Sequence, residues 1–338
     1  MKLYAGIDLH SSNNFIGVID ENDKRRYSKR HYNNIDTVLK VLKPFKKSLQ
    51  GVVVESTYNW YWLVDGLQEQ GYRVHLANPS AIKQYEGLKH TDDRWDSFFL
   101  AHLLRLNILP EGYIYPKEKR AVRDLFRRRL RFVRHRTSTI LSLQSMFARH
   151  KGSTPPGNLI KTFSQWEMEG RFDCSNLTFA AQADVAEIEN LNAIIKSIEK
   201  KIRPQVQLAD EFELLLTIPG IGEILGMTIM LEVGDINRFK KVGNYSSYSR
   251  CVKSQRISNK KKKGEGNRKN GNKYLAWAYV EAAHFSIRYC AGARKFYQRK
   301  KAKTNGAVAT KALANKLARA SYYIMRDRVP FDEEKLFR

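Results

Sequence analysis

Apolar and polar positions alternate along the first third of the chain in two rhythms, one of strands and one of helices. Apolar residues lead from Tyr4 into Asp8, the polar run Ser11-Ser-Asn-Asn14 turns the chain, and a second apolar run follows from Phe15 to Ile19. That is a hairpin pattern with a carboxylate near the end of its first strand. The periodicity predicts strands near 3–9, 14–20, 25–31, 51–55 and 72–77, with a helix near 34–47. A helix from Thr57 to Gln70 carries Trp60, Leu63, Val64 and Leu67 on one face, and Pro79 opens another. A further helix, Asp92 to Asn107, carries the stripe Phe99, Leu100, Leu103, Leu104 and Leu106. Three meandering strands followed by helix-linked strands make an α/β domain over 1–112.

The rhythm then changes. From Pro116 to Lys151 the pattern is one basic helix, in which Arg120, Arg123, Arg127, Arg128, Arg129, Arg131, Arg134 and Arg136 interleave with Val122, Leu125, Phe126, Leu130 and Val133. An arginine face of this kind can lie along a phosphate backbone or simply be solvated. After the break Gly152-Ser-Thr-Pro-Pro-Gly157, a helix over 183–202 carries Val185, Ile188, Leu191, Ile195, Ile198 and Ile202 at three- and four-residue steps. Such a seam is buried in a dimer or within the chain. Residues 113–208 form a connecting helical region and 209–338 a mainly helical C-terminal domain. In the latter, Leu214 to Gly222 gives a helix and a Pro-Gly-Ile-Gly turn, and Glu223 to Glu232 a second helix. Residues 244–274 have the composition of a charged loop that orders on nucleic acid, ahead of helices at Lys273 to Tyr289 and about 305–326.

Composition sharpens this picture. The 338 residues hold 60 Lys+Arg against 34 Asp+Glu, a net charge of +26, yet 42% are hydrophobic. That combination describes a folded protein with a polyanionic partner, because phosphates neutralised by basic residues release counterions. Cys174, Cys251 and Cys290 form neither a disulfide framework nor a zinc motif. With no signal pattern at the N-terminus and no membrane-length apolar run, the expected protein is cytoplasmic, nucleoid-associated and free of the membrane.

Against this basic background the acids stand out. Asp8 and Glu55 close two predicted strands, and Asp92, Asp93 and Asp96 open a predicted helix. Singly, each suits its position as a turn residue or a first-turn helix residue. Jointly, Asp8, Glu55, Asp93 and Asp96 give the order of a ribonuclease-H-like carboxylate site, which holds Mg²⁺ or Mn²⁺ for in-line attack on a phosphodiester. Asp92 is ambiguous, and His10, His90 and His102 lack ligand spacing and stand outside the expected set.

Together these residues resemble the DEDD transposases of the insertion-sequence 110 family. The likeness rests on Tyr4-Ala-Gly-Ile-Asp8, Val54-Glu55-Ser-Thr57 and His90-Thr-Asp-Asp-Arg-Trp-Asp96, with Ser97 where alanine is usual. It continues through Thr217-Ile-Pro-Gly-Ile-Gly222, Glu232-Val-Gly-Asp-Ile-Asn-Arg-Phe239, Tyr245 to Ser249, Gly271-Asn-Lys-Tyr-Leu275 and Glu281-Ala-Ala283. The resemblance implies a RuvC-like domain, a connecting region and a C-terminal transposase domain with a helix-hairpin-helix-like turn. It also implies a serine nucleophile at Ser258, with Lys253 at the family's proline position, Asn259 at its glycine position and Ser254 as the alternative. It further implies DNA at element ends and target, a bridge-type guide RNA, and a homo-oligomer, a dimer or a tetramer on DNA, whose subunits share a composite site. Arg120, Arg123, Arg127, Arg128, Arg131, Arg134, Lys260, Lys261, Lys262, Lys263, Arg268, Lys269 and Lys273 are then expected on nucleic-acid backbones. A water-using RuvC-like nuclease and a non-catalytic nucleic-acid-binding protein are the competing readings.

Overall fold

The computed structural model describes the chain apart from residues 83–91, 208–209, 255, 260 and 266–269, and apart from the side chains of 207, 256, 257 and 262. Two compact units emerge, one comprising Met1–Lys117 with Glu265–Asn270 and the other Glu118–Gly264 with Gly271–Arg338.

The first unit is built on a five-stranded mixed sheet of order β3-β2-β1-β4-β5, with β1 Leu3–Leu9, β2 Asn13–Asp20, β3 Arg25–Tyr32, β4 Leu49–Glu55 and β5 Val74–Ala77. β1 runs antiparallel to β2 and parallel to β4. It sits at the centre and is buried nearly throughout, as its apolar sequence requires. The edge strand β3, Arg-Arg-Tyr-Ser-Lys-Arg-His-Tyr, is exposed and blunted by charge. Successive side chains of β1 point to opposite faces. Leu3, Ala5, Ile7 and Leu9 share one core with Val38 and Leu42 of α1 (Ile35–Leu42) and Leu63, Val64 and Leu67 of α2 (Tyr61–Glu69). Gly6 and Asp8 therefore face the other way, toward α3 (Asp93–Arg105). There the helix comes down onto the strand backbone: a Cβ at Gly6 would run into the Ser97 carbonyl oxygen and lie 2.9 Å from Ala101 N. Ser97 is fully buried at this contact, with Oγ donating to Arg94 O. Position 97 thus sits in a close-packed contact that favours a small side chain.

Boundaries differ from expectation where short-range chemistry intervenes. α1 gives way to a 3-10 turn at Lys43–Phe45 beside Pro44. α2 begins at Tyr61, after the Thr57 hydroxyl has bonded Asn59. The Pro79 element is a 3-10 turn, Pro79–Ala81, and the rest of the expected helix lies outside the described residues.

In the second unit, α4 (Lys117–Lys151) and α6 (Ser175–Gln207) pair antiparallel, cross-linked by Arg129–Glu199, Arg136–Asn192 and Thr139–Glu187. The seam expected from 183–202 is buried within the chain. Val185 and Ile188 pack with Ile140, Leu143 and Phe147 of α4, and Ile202 with Phe126. A dimer is therefore not needed to cover it. α5 (Gly157–Ile160) closes the distal core through Ile160. α7 (Asp210–Leu216) and α8 (Glu223–Val233) flank the Pro-Gly-Ile-Gly turn, whose Gly220 adopts φ +98°. A Cβ at Gly220 would fall 2.6 Å from Ala282 O and Ser286 N, so this glycine lets the turn approach α10 (Lys273–Tyr289). α9 (Val242–Tyr248), α10, α11 (Ala291–Lys303), α12 (Gly306–Asp327) and α13 (Glu333–Phe337) complete the bundle around Tyr245, Tyr279 and Tyr322.

The charged stretch expected to be a loop contains structure of its own. α9 opens it, and β6 (Arg256–Ser258) pairs antiparallel with β7 (Lys261–Gly264). Asn259 sits at the turn with φ +49°, a left-handed conformation that asparagine tolerates better than other non-glycine residues.

Candidate active site

The sheet register brings the first two acids together. Ile7 pairs with Val54 in the parallel β1–β4 ladder, which leaves Asp8 and Glu55 as the next residues of neighbouring strands. Asp8 is 3% exposed and shares a hydrogen bond with Glu55. The third and fourth acids come from the first turn of α3, which Asp92 caps by accepting Trp95 N–H at 2.6 Å. That settles Asp92 as a capping residue. Asp93 reaches Arg30 Nη2 at 2.5 Å, while Asp96 Oδ1 is buried without a hydrogen-bond partner.

Crowding of carboxylates costs free energy in a half-buried site, and the protonation equilibria record it. Burial, then the Asp8 hydrogen bond and charge, push the Glu55 carboxyl up to about 8. Burial and the neighbouring Asp8, Asp93 and Asp92 push Asp96 up to about 6. Asp8 is also raised, chiefly by burial, against the opposing pull of its Glu55 hydrogen bond and of His10.

His10 is the residue that sequence spacing missed. Its Nε2 lies 3.1 Å from Asp8 Oδ2 and 3.3 Å from Asp93 Oδ1, and the three ligand atoms all fall within 4.8 Å of one another. A signal was available in the strand period, since residues 8 and 10 fall on the same side of an extended chain. His90 lies outside the described residues. His102 instead bonds Asp23, away from this cluster. Asp8, His10 and Asp93, with Asp8 Oδ2 and His10 Nε2 buried and without a hydrogen-bond partner, are a donor set that a divalent cation would satisfy.

In the second unit Ser258 is the last residue of β6, exposed, and directly opposite exposed Lys261. Lys263 and Lys273 are exposed as well, whereas Lys260, Arg268, Lys269 and the Lys262 side chain lie outside what the structure describes. The arginine face expected of α4 is divided. Arg128, Arg131 and Arg134 are exposed at three-residue steps, one face of the helix. Arg120 and Arg123 are buried, 4% and 8% exposed, and Arg127 is held by buried Glu232, so these three do not offer free guanidinium groups to a backbone phosphate. Asn272 donates to the same Glu232 carboxylate at 2.7 Å and caps α10 with its own oxygen.

Residues 5–150 match the DEDD transposase profile of the IS110 type, and residues 212–298 that of the transposase IS116/IS110/IS902 family. The chain belongs to the IS110 family of transposases. A "Probable family 20 transposase" of Pseudomonas aeruginosa is 25% identical over 276 residues, covering 78% of this chain and 80% of its own. The "Transposase for insertion sequence element IS1111A" of Coxiella burnetii is 21% identical over 235 residues, 68% of this chain and 63% of its own. As an insertion-element transposase the chain is an enzyme of DNA cutting and rejoining, and all four expected acids fall within the first matched segment. Among the described residues, no helix is long and apolar enough to cross a membrane.

Proposed function

We propose that this IS110-family transposase cuts and rejoins DNA by attack of Ser258 on a phosphodiester, with a ribonuclease-H-like carboxylate site holding the required cation. The observation that carries the reading is the meeting of Asp8, Glu55, Asp93 and Asp96 on one face of the sheet, with buried oxygens left unsatisfied. A divalent cation there, Mg²⁺ or Mn²⁺, would polarise the scissile phosphate and neutralise charge on the leaving oxygen. The carboxylates would hold and orient it, and α3 packs closely against β1, which carries Asp8.

Ser258 supports the nucleophile's role by exposure at the end of a short hairpin, beside cross-strand Lys261. Its Oγ loses its proton and forms a bond to phosphorus as the bond to the leaving deoxyribose oxygen breaks, and that oxygen takes up a proton from solvent to leave as a hydroxyl, which conserves the phosphoester energy for rejoining. Asn259 stands where the family carries glycine and adopts φ +49°, a conformation open to both residues, so the departure at that position is compatible with the turn. Different subunits supply the serine and the carboxylates in the oligomer that the family resemblance implies. Arg128, Arg131, Arg134, Lys261, Lys263 and Lys273 hold backbones of DNA and of a guide RNA, whose base pairing supplies the sequence specificity.

The test is a denaturing gel of protein incubated with Mg²⁺, element-junction DNA and flanking RNA, for wild type, Ser258→Ala and Asp8→Asn. A covalent protein–DNA band lost in both variants is the expected result. Cleavage without such a band, indifferent to Ser258→Ala, would mean that water is the nucleophile.

A further inference from the structure

The turn that carries His10 does not need its imidazole. His10 N donates to Asn13 O, and His10 O accepts from Asn33 Nδ2 and Asn59 Nδ2, each at 2.9 Å, so the main chain alone is fixed from three sides. The side chain nevertheless turns into the carboxylate site. Its Nε2 stands 3.1 Å from Asp8 Oδ2 and 3.3 Å from Asp93 Oδ1, yet it is buried and aligned with neither as a hydrogen bond. Asp93 already has a cationic partner in Arg30 at 2.5 Å, so a second, poorly aligned one adds little.

Close approach without hydrogen-bond alignment is what lone pairs aimed at a common point look like. Ligands about 2.0–2.2 Å from one cation lie roughly 3–4.4 Å apart. The three ligand atoms of Asp8, His10 and Asp93, all within 4.8 Å of one another, fit such a set. Asp8 and His10 sit two residues apart on one side of the strand end, and the helix brings Asp93 across from them.

Resting on the carboxylate cation site proposed above, we propose that His10 Nε2 is itself a ligand of the cation, beside Asp8 and Asp93, and that this nitrogen makes the site prefer Mn²⁺ to Mg²⁺. Mg²⁺ is a hard cation that favours oxygen donors and keeps its waters. Imidazole is a better donor to first-row transition ions, so replacing one oxygen by nitrogen raises affinity for Mn²⁺ and does little for Mg²⁺. Because the turn is held by its main chain, His10→Gln removes the imidazole while leaving those hydrogen bonds available.

The experiment uses the full chain with Mn²⁺ or Mg²⁺ alone. Pulsed electron paramagnetic resonance reads ¹⁴N coupling to bound Mn²⁺, and calorimetry reads both affinities, in wild type, His10→Gln and Asp8→Asn. Expected are imidazole nitrogen modulation in wild type, its loss in His10→Gln, and a fall in Mn²⁺ affinity of about tenfold or more with Mg²⁺ affinity changed by less than about twofold. Mn²⁺ that binds in an Asp8-dependent manner but shows no nitrogen modulation would remove His10 from the ligand set and leave the carboxylate site standing. So would an unchanged Mn²⁺-to-Mg²⁺ preference in His10→Gln. Binding that is absent, or indifferent to Asp8→Asn, would overturn the carboxylate site and this inference together.

Discussion

The guanidinium of Arg127 on α4 grips the carboxylate of Glu232 on α8 at two points, Nε to Oε1 at 2.6 Å and Nη2 to Oε2 at 2.7 Å. Glu232 is 4% exposed and also accepts from Asn272, the residue that caps α10 just past the serine-bearing hairpin. Three helices thus meet on one buried carboxylate. Removing Arg127 leaves that charge uncompensated, and Arg127→Met is expected to destabilise the protein by about 3 kcal/mol in denaturant unfolding. Pairing it with Glu232→Gln should recover much of the loss, since the lone charge is then gone. An Arg127→Met variant as stable as wild type would show that the pair contributes nothing net.

The exposed arginines should behave in the opposite way. Arg128→Gln, Arg131→Gln and Arg134→Gln remove exposed charges, so unfolding should be unaffected. Nucleic-acid affinity should fall evenly across sequences, and the slope of log affinity against log salt should drop by about 1 for each arginine lost. Binding titrations over a range of salt concentrations check both points. Unchanged slopes would mean that this helix face does not meet the backbone.

Gly6 sets how closely α3 approaches the sheet. Gly6→Ala drives a methyl into the Ser97 carbonyl, and main chain cannot swing aside as a side chain can. A loss of about 2–3 kcal/mol is expected, together with weaker cation binding, because the helix that moves carries Asp93 and Asp96. Thermal unfolding and calorimetry with Mn²⁺ measure the two effects separately.

Glu55 makes stability depend on pH in an unusual direction. A carboxyl raised to about 8 in the folded state keeps its proton over a range where the unfolded chain has released it. The folded chain then binds more protons, so stability is greatest below about pH 4.5 for this group and falls as pH rises toward about 8, by up to about 1.4 kcal/mol per pH unit. Cation-free protein should therefore melt at a lower temperature at pH 8 than at pH 5.5. Glu55→Gln should flatten that trend, as should a saturating divalent cation. A melting temperature independent of pH in wild type would contradict the buried, crowded state of this carboxyl.

Much of the first unit was legible in the sequence because its strands carry their own period and their acids fall at strand ends. Asp8, Glu55, Asp93 and Asp96 follow from that alternation and from the helix signal at Asp92. His10 escapes a reading of spacing along the chain because Asp93 approaches it across the sheet. On α4 the periodicity located the helix but could not divide its arginines. Arg127, Arg129 and Arg136 are engaged by Glu232, Glu199 and Asn192, residues far off in sequence that fold back against it. The β6–β7 hairpin was hidden by its lysines, whose composition resembles that of a disordered segment, while the ladder depends on backbone pairing.

The antiparallel pair α4–α6 also fixes a length. At 1.5 Å per residue, the 35 residues of α4 extend about 52 Å, comparable to roughly fifteen base pairs of duplex. The distal core around Phe147 is carried about 30 Å along the axis from the Arg127 anchor. Whatever meets that far end is held at a distance set by helical pitch, with no slack of the kind a linker allows. Evolution can retune such a ruler only in steps that keep the two helices in phase, about one turn added to each at a time.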